Sequence, residues 1–256
     1  MLTRNPLPIL DYDSDPSAVI LPGEFEIPYP KKAAFLFLAD SVDAYAAAHN
    51  AEKIDEFYTI TKTFPIYKTI YHGEEICFCQ APLGAPAAVQ LLDHLLGSGV
   101  EQVIAAGCCG ALVDIPENTF LIPTEAVRDE GTSYHYLPAA PTVQLDDAPI
   151  AAIRRMLAKH GLAARECKVW TTDAFYRETA ALVEARRAEG CEAVDMECAG
   201  LAACACFRGA QFGQLLFTAD SLANVEEYDE RGWGRDSFDR SVLLAFDAVL
   251  ELGRDA

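Results

Sequence analysis

Three acidic side chains sit in stretches that are otherwise apolar enough to be core. Asp195 and Glu197 fall within Glu192-Ala193-Val194-Asp195-Met196-Glu197-Cys198-Ala199-Gly200, and Asp220 closes Gln214-Leu215-Leu216-Phe217-Thr218-Ala219-Asp220. A carboxylate is costly to bury unless it is paired or hydrogen-bonded, so these positions need a reason. Glu197 and Asp220 lie where predicted strands hand over to the next element, and ligands of open α/β sheets gather at the carboxyl ends of strands. A carboxylate there accepts two hydroxyl hydrogen bonds. One held in a dry strand end has its proton affinity raised and can serve as a general acid. Each also has a packing alternative: Glu197 as a helix N-cap beside a core methionine, Asp220 as an Asx-type turn with Ser221.

The elements that must hold these groups emerge from the hydrophobic pattern. Six prolines in residues 1–30 (Pro6, Pro8, Pro16, Pro22, Pro28 and Pro30) predict an extended, partly docked arm. Ala33 to Ala39 reads as a buried strand, with Asp40-Ser41 capping a helix through about His49. Phe57 to Gln80 reads as a hairpin turning at His72-Gly73, and Pro86 opens a helix to about Leu96. Gln102 to Ala106 is a strand ending in the small-residue turn Gly107-Cys108-Cys109-Gly110, where backbone can approach a ligand. Phe120 to Val127 is a strand, and Pro138 to Pro149 an irregular crossing. Next come a helix near Ile150 to His160, a strand at Cys167 to Thr172 and a helix at Thr179 to Ala188. The acidic strand, the small-residue helix and the strand Gln214 to Ala219 come after these. Asp236 to Leu252 closes the chain as a helix with apolar residues at helical spacing. Strands alternating with helices imply a mainly parallel, helix-covered sheet.

Composition narrows the function classes. At 256 residues, 51% of them hydrophobic, the chain can bury one large core. No apolar run reaches the roughly 18 residues of a membrane-crossing helix, and Met1 to Asp15 lacks a signal-peptide layout, so a cytoplasmic protein is expected. A formal charge of −19 disfavours nucleic acid. Nine cysteines, scattered through apolar segments without paired Cys-x-x-Cys units, read as reduced small hydrophobes rather than a disulfide framework or a metal site.

Four segments in order resemble the nucleoside phosphorylase family, which includes purine nucleoside phosphorylases, uridine phosphorylases and nucleosidases. They are Gly107-Cys108-Cys109-Gly110-Ala111, Arg128-Asp129-Glu130-Gly131-Thr132-Ser133-Tyr134, Thr171-Thr172-Asp173-Ala174-Phe175-Tyr176, and Val194-Asp195-Met196-Glu197 with the later Ala219-Asp220. The resemblance implies a single-domain, three-layer phosphorylase-like α/β fold over residues 31–256, with a mixed, mainly parallel central sheet flanked by helices. It implies cleavage of a nucleoside's N-glycosidic bond with inorganic phosphate as co-substrate and no other cofactor. It also implies a homo-oligomer, trimeric or hexameric, whose sites are completed across subunits.

Roles carry over residue by residue. Glu197 would grip the sugar hydroxyls, Met196 would pack beneath the ring, and Asp195 belongs to the same turn. Asp220 would protonate the leaving base at a purine ring nitrogen, with Arg235 or Arg231 as cationic partner. Phe175 and Tyr176 would stack on the base. Thr179 and Ala181 stand where uridine phosphorylases carry Gln and Arg, which favours a purine-type base. Arg128 and His135 are candidates for ligand contact across an interface. The phosphate pocket departs from the family pattern. Gly23, Gly107 and Cys108 occupy its turns, but Ile27 and Ala105 replace two arginines; Lys62 stands in for the arginine lent by a neighbour, and Arg128 or Lys68 are other cations the pocket could recruit. Water as nucleophile, or binding without turnover, are the alternatives this opens.

Overall fold

The computed structural model describes residues 1–23 and 29–253. The arm carries two short strands, β1 (Leu2–Thr3) and β2 (Tyr12–Asp13), paired antiparallel. The body continues as β3 (Lys32–Leu36), α1 (Ser41–Ala48), β4 (Glu52–Tyr58), β5 (Thr63–Tyr71), β6 (Glu74–Gln80), α2 (Ala85–Gly97), β7 (Gln102–Ala111) and β8 (Phe120–Asp129). Then come β9 (Thr142–Gln144), α3 (Asp147–Lys159), β10 (Arg165–Thr172), α4 (Ala180–Ala188), β11 (Cys191–Asp195), α5 (Cys198–Arg208), β12 (Gln211–Ser221) and α6 (Phe238–Glu251).

The ten body strands form one mixed sheet in the order β11-β10-β8-β12-β7-β3-β6-β5-β4, with β9 on β8. Parallel pairings join β6, β3, β7 and β12 through its middle, and the antiparallel hairpin β4-β5-β6 forms one edge. β11 also pairs antiparallel with β7, which curls the other end of the sheet back on itself. Helices α3 and α6 pack together against β12, β7 and β3, while α2 packs on α5. Phe35, Phe78, Phe212, Phe217, Phe246 and Trp170 are buried in the resulting interior.

One departure from the sequence reading matters for the site. Gly107 to Gly110 is strand, not turn: β7 continues through Ala111, with Gly107 opposite Leu216 and Cys109 opposite Thr218 on β12. A Cβ on Gly107 would lie 2.8 Å from Phe37 Cβ, so this glycine makes room for a neighbouring side chain. The proline-rich crossing likewise contains β9, paired with β8.

Candidate active site

The junction between β11 and α5 is built around Asp195. Its Oδ2 accepts the backbone N–H of Cys198 at 2.8 Å and of Glu197 at 3.3 Å, capping the first turn of α5. Thr171 donates its hydroxyl to Oδ1 at 2.7 Å, Gln214 Nε2 lies 3.4 Å from Oδ2, and Thr171 Oγ1 in turn accepts from Ala199 N. Burial pushes Asp195 up to about 6 against these donors. Asp195 therefore orients the turn, with both oxygens occupied by protein, rather than facing a ligand.

That capping frees Glu197. It occupies the N-cap position of α5 but makes no side-chain cap. Its Oε1 instead accepts the N–H of Gly84 at 2.6 Å, and the Met196 backbone adds a weaker pull on the carboxylate. Gly84 has φ +87, a conformation that suits glycine, and it stands at the N-terminus of α2 with open space in front of it. Burial first, then the charge of Asp195, pushes Glu197 up to about 8. Met196, between the two acids, is half-buried.

Asp220 lies near the end of β12, where the strand pairs with β7. A Cβ on Gly110 would come within 3.2 Å of Asp220 Oδ1 and 2.9 Å of Val194, so only glycine lets these strands close around the carboxyl. Asp220 Oδ2 accepts the Tyr228 hydroxyl at 3.1 Å. Burial raises its proton affinity, while the Tyr228 hydrogen bond and the charge of Arg231 oppose the rise.

Cys108 marks the space between the acids. Its side chain is solvent-accessible while its flanking strand residues Gly107 and Cys109 are buried. Burial first, and then the charges of Glu197, Asp220 and Asp195, push its thiol up to about 11. The strand register gathers these groups at one end of the sheet, with Gly110 of β7 opposite Val194 on β11 and Cys109 opposite Thr218 on β12. The thiol stays neutral near neutrality.

Phe175 leads the 3-10 turn Phe175–Arg177 that succeeds β10; it is half-exposed, and Tyr176 is almost fully exposed. Their rings meet edge-to-face at 5.1 Å. Glu178, the next residue after that turn, is half-buried and is pushed up to about 7 by burial and by the charge of Asp220.

Other residues singled out from the sequence are placed elsewhere. Arg128 is buried and donates to Ser133 Oγ at 2.9 Å, Pro138 O at 2.7 Å and Leu137 O at 3.1 Å, so its guanidinium is used in folding its own loop. His135 is exposed and, with Gly23 and other arm residues, lines a separate cavity of about 1020 Å³. Gly23 packs against Gly97 at the C-terminal end of α2. Glu197 is bound at the opposite end, and 13 helical residues span about 20 Å. Lys62 sits in the β4–β5 turn, 5.3 Å over the Phe64 ring. That edge is four strands from β7, about 19 Å. Arg235 is exposed and makes no hydrogen bond to Asp220; Arg231 is the arginine whose charge acts there. Ala105 is fully buried in β7, and Ile27 lies outside the described residues.

Gly84, Glu178 and Tyr228 join the candidate site without having been singled out from the sequence, whereas Arg231 was. The loop bearing Tyr228 and Arg231 is pinned. Ser221 and Asp229 form a backbone bridge, and Glu117 Oε1 accepts from Gly232 N at 2.9 Å and Gly234 N at 2.8 Å.

A family model described as the phosphorylase superfamily matches residues 34–249. The chain belongs to that superfamily. Among its relatives is a DeoD-type purine nucleoside phosphorylase from Dichelobacter nodosus, 26% identical over 225 residues that cover 85% of this chain and 92% of the relative. Among solved structures, a uridine phosphorylase from Vibrio fischeri superposes with a TM-score of 0.76 at 23% identity, covering 93% of this chain and 99% of the other. An AMP nucleosidase from Bacteroides thetaiotaomicron gives a TM-score of 0.70 at 20% identity, over 87% and 88% of the two chains. These likenesses bear out the mixed α/β, phosphorylase-like fold. No helix among the described residues is long and apolar enough to cross a membrane.

Proposed function

We propose that this chain cleaves the N-glycosidic bond of a purine nucleoside, with inorganic phosphate as nucleophile and no further cofactor. The observation that carries the reading is the strand arrangement that gathers the acids at one end of the sheet: Gly110 of β7 pairs with Val194 on the strand leading to Glu197, and a Cβ on Gly110 would lie 3.2 Å from Asp220 Oδ1. As the bond breaks, the sugar gains positive charge and the base leaves with electrons. Glu197 has one oxygen tied to Gly84, which leaves the other to serve the cleft. With a proton affinity raised to about 8, it can donate one hydrogen bond and accept another, which suits a ribose diol. Its negative form stabilises the cationic sugar. Asp220 supplies a proton to the departing purine at a ring nitrogen, and its burial favours holding that proton until needed. Phe175 forms the stacking wall, and Thr179 and Ala181 give no pyrimidine-reading pair.

The nucleophile enters beside Cys108. Here a second reading has its own support: Glu197, Asp220 and Asp195 all act on Cys108 as negative charges, and a dianion gains most of its affinity from charge-assisted contacts. With two of the family's arginines replaced by Ile27 and Ala105, this reading takes the phosphate-binding cation from a neighbouring copy. Lys62, exposed on the outer hairpin edge, is the candidate donor in a trimeric or hexameric assembly. Without that cation, water attacks and the enzyme is a nucleosidase.

Release of free base from a purine and pyrimidine nucleoside panel, with and without phosphate, separates the readings. Base released from purine nucleosides only with phosphate supports the first. Equal release without phosphate supports hydrolysis. Binding with no product under either condition overturns both.

A further inference from the structure

The loop after β12 is stapled to that strand on both sides of Asp220. On one side Ser221 and Asp229 exchange backbone hydrogen bonds at 2.8 and 3.3 Å, and Tyr228, the neighbour of Asp229, donates its hydroxyl to Asp220 Oδ2 at 3.1 Å. On the other side the tie runs through Glu117, in the connection from β7 to β8, whose Oε1 accepts the N–H groups of Gly232 and Gly234. That connection is itself fixed to Thr218, two residues before Asp220. Asn118 N donates to Thr218 O at 2.9 Å, Thr218 N to Thr119 O at 3.0 Å, and the Thr218 hydroxyl to Pro116 O at 2.6 Å. Glu117 is therefore fixed to the strand that carries the proton donor. The stretch it holds is not a relaxed one: Arg231 (φ +49) and Trp233 (φ +60) both take the left-handed conformation that is uncommon outside glycine. One carboxylate oxygen thus answers the two amides that follow the two strained residues. Without it both amides lose their acceptor and the loop can relax.

We propose that Glu117 is a positioning residue for Asp220: by holding Gly232 and Gly234 it keeps the loop in the shape in which Tyr228 reaches Asp220 Oδ2. The proposal rests on the reading of Asp220 as the acid that protonates the leaving purine, and adds the group that sets that acid's strength. A hydroxyl donating to a carboxylate favours the ionised form, so the tied loop keeps Asp220 the stronger acid. When the tie is cut, Tyr228 leaves Oδ2 and Asp220 keeps its proton to higher pH. Deleting the charge of Glu117 acts in the opposite sense, because a like charge removed makes a carboxyl easier to ionise. The two effects are therefore told apart by their sign. The other charged and titratable groups acting around Asp220 are Asp229 and Arg231 on the same loop, Glu178 beyond β10 and Cys108 on β7.

The test is the pH profile of kcat on a purine nucleoside that the wild type cleaves, with phosphate present. It is measured for the wild type, Glu117→Gln, Glu117→Ala, Tyr228→Phe and the double variant Glu117→Ala/Tyr228→Phe. In Glu117→Ala the alkaline limb is expected to move up by about one pH unit, the order of one hydrogen bond to a carboxylate, as in Tyr228→Phe. The double variant moves no further than Tyr228→Phe alone. Glu117→Gln, whose amide oxygen accepts the same two N–H groups, keeps the wild-type limb. An unmoved limb in Glu117→Ala, an equal movement in Glu117→Gln, or shifts that add in the double variant overturn the assignment while leaving purine cleavage intact. A lower melting temperature in Glu117→Ala with an unchanged profile marks a purely structural role and overturns it too. If Glu117→Ala does not fold, Gly232→Ala carries the same test, because its Cβ would lie 3.0 Å from Glu117 Oε1 and crowd the tie. The same upward movement there upholds the assignment, and an unmoved limb overturns it. No base released from any nucleoside by the wild type defeats both this inference and the reading beneath it.

Discussion

The N–H of Gly84 meets Glu197 Oε1 at 2.6 Å, tying the start of α2 to the start of α5 across the cleft. Two helix N-termini that are distant in sequence are thereby held at one carboxyl. Gly84 adopts φ +87 and ψ 142, where a side chain is strained by about 1–3 kcal/mol. Gly84→Ala is therefore expected to destabilise the fold by that order, read as a shifted urea midpoint, and to raise KM for the nucleoside several-fold. An unchanged midpoint and KM would show that the bond does not hold Glu197 in place.

Asp220→Asn removes the acid while keeping the shape. Turnover of purine nucleosides should fall by at least about tenfold, in line with the usual contribution of general acid catalysis, with substrate binding largely intact. Tyr228→Phe acts differently. The Tyr228 hydrogen bond holds Asp220 toward its ionised form, so losing it raises the carboxyl's proton affinity further. The alkaline limb of the kcat profile should then move to higher pH. A rate indifferent to Asp220→Asn would remove that residue from its role.

Glu197 also makes a stability prediction. Its folded-state proton affinity, at about 8, lies above the unfolded value near 4.5. The stabilising preference for the protonated form is complete below about 4.5 and is lost as pH rises through about 8. Glu197→Gln should therefore raise the melting temperature near pH 8 and change it little near pH 5. Activity should fall in the same variant, a functional group kept at a cost to the fold. Equal melting shifts at both pH values would contradict the burial argument.

Thr171→Val deletes the hydroxyl that donates to Asp195 and accepts from Ala199. Leaving a buried carboxylate oxygen short of a donor costs about 1–3 kcal/mol. The expected outcome is a lower melting temperature with only a modest loss in kcat, because Asp195 acts on the turn and not on substrate. A large kcat loss with unchanged stability would return Asp195 to the ligand.

Much of this was legible in the residues because burial and periodicity leave marks. Acids inside apolar runs betrayed Glu197 and Asp220, and the alternation of strands and helices carried the fold. The misreadings have local causes. Gly107 to Gly110 looked like a turn because small residues favour one, yet strand β12 and the Phe37 side chain require small residues in the middle of a strand. Arg128 looked available because nothing in a sequence says that an arginine will use its donors on carbonyls nine and ten residues ahead. Tyr228 was hidden because its loop has ordinary surface composition, and the Ser221–Asp229 bridge folds that loop back so that its hydroxyl reaches Asp220.

The most direct test of the central claim is the rate of free-base release from a purine nucleoside with phosphate present, for the wild type beside Glu197→Gln and Asp220→Asn. The account predicts steady release by the wild type and a loss of at least about tenfold in each variant. No release by the wild type, or the same rate in all three proteins, would contradict it.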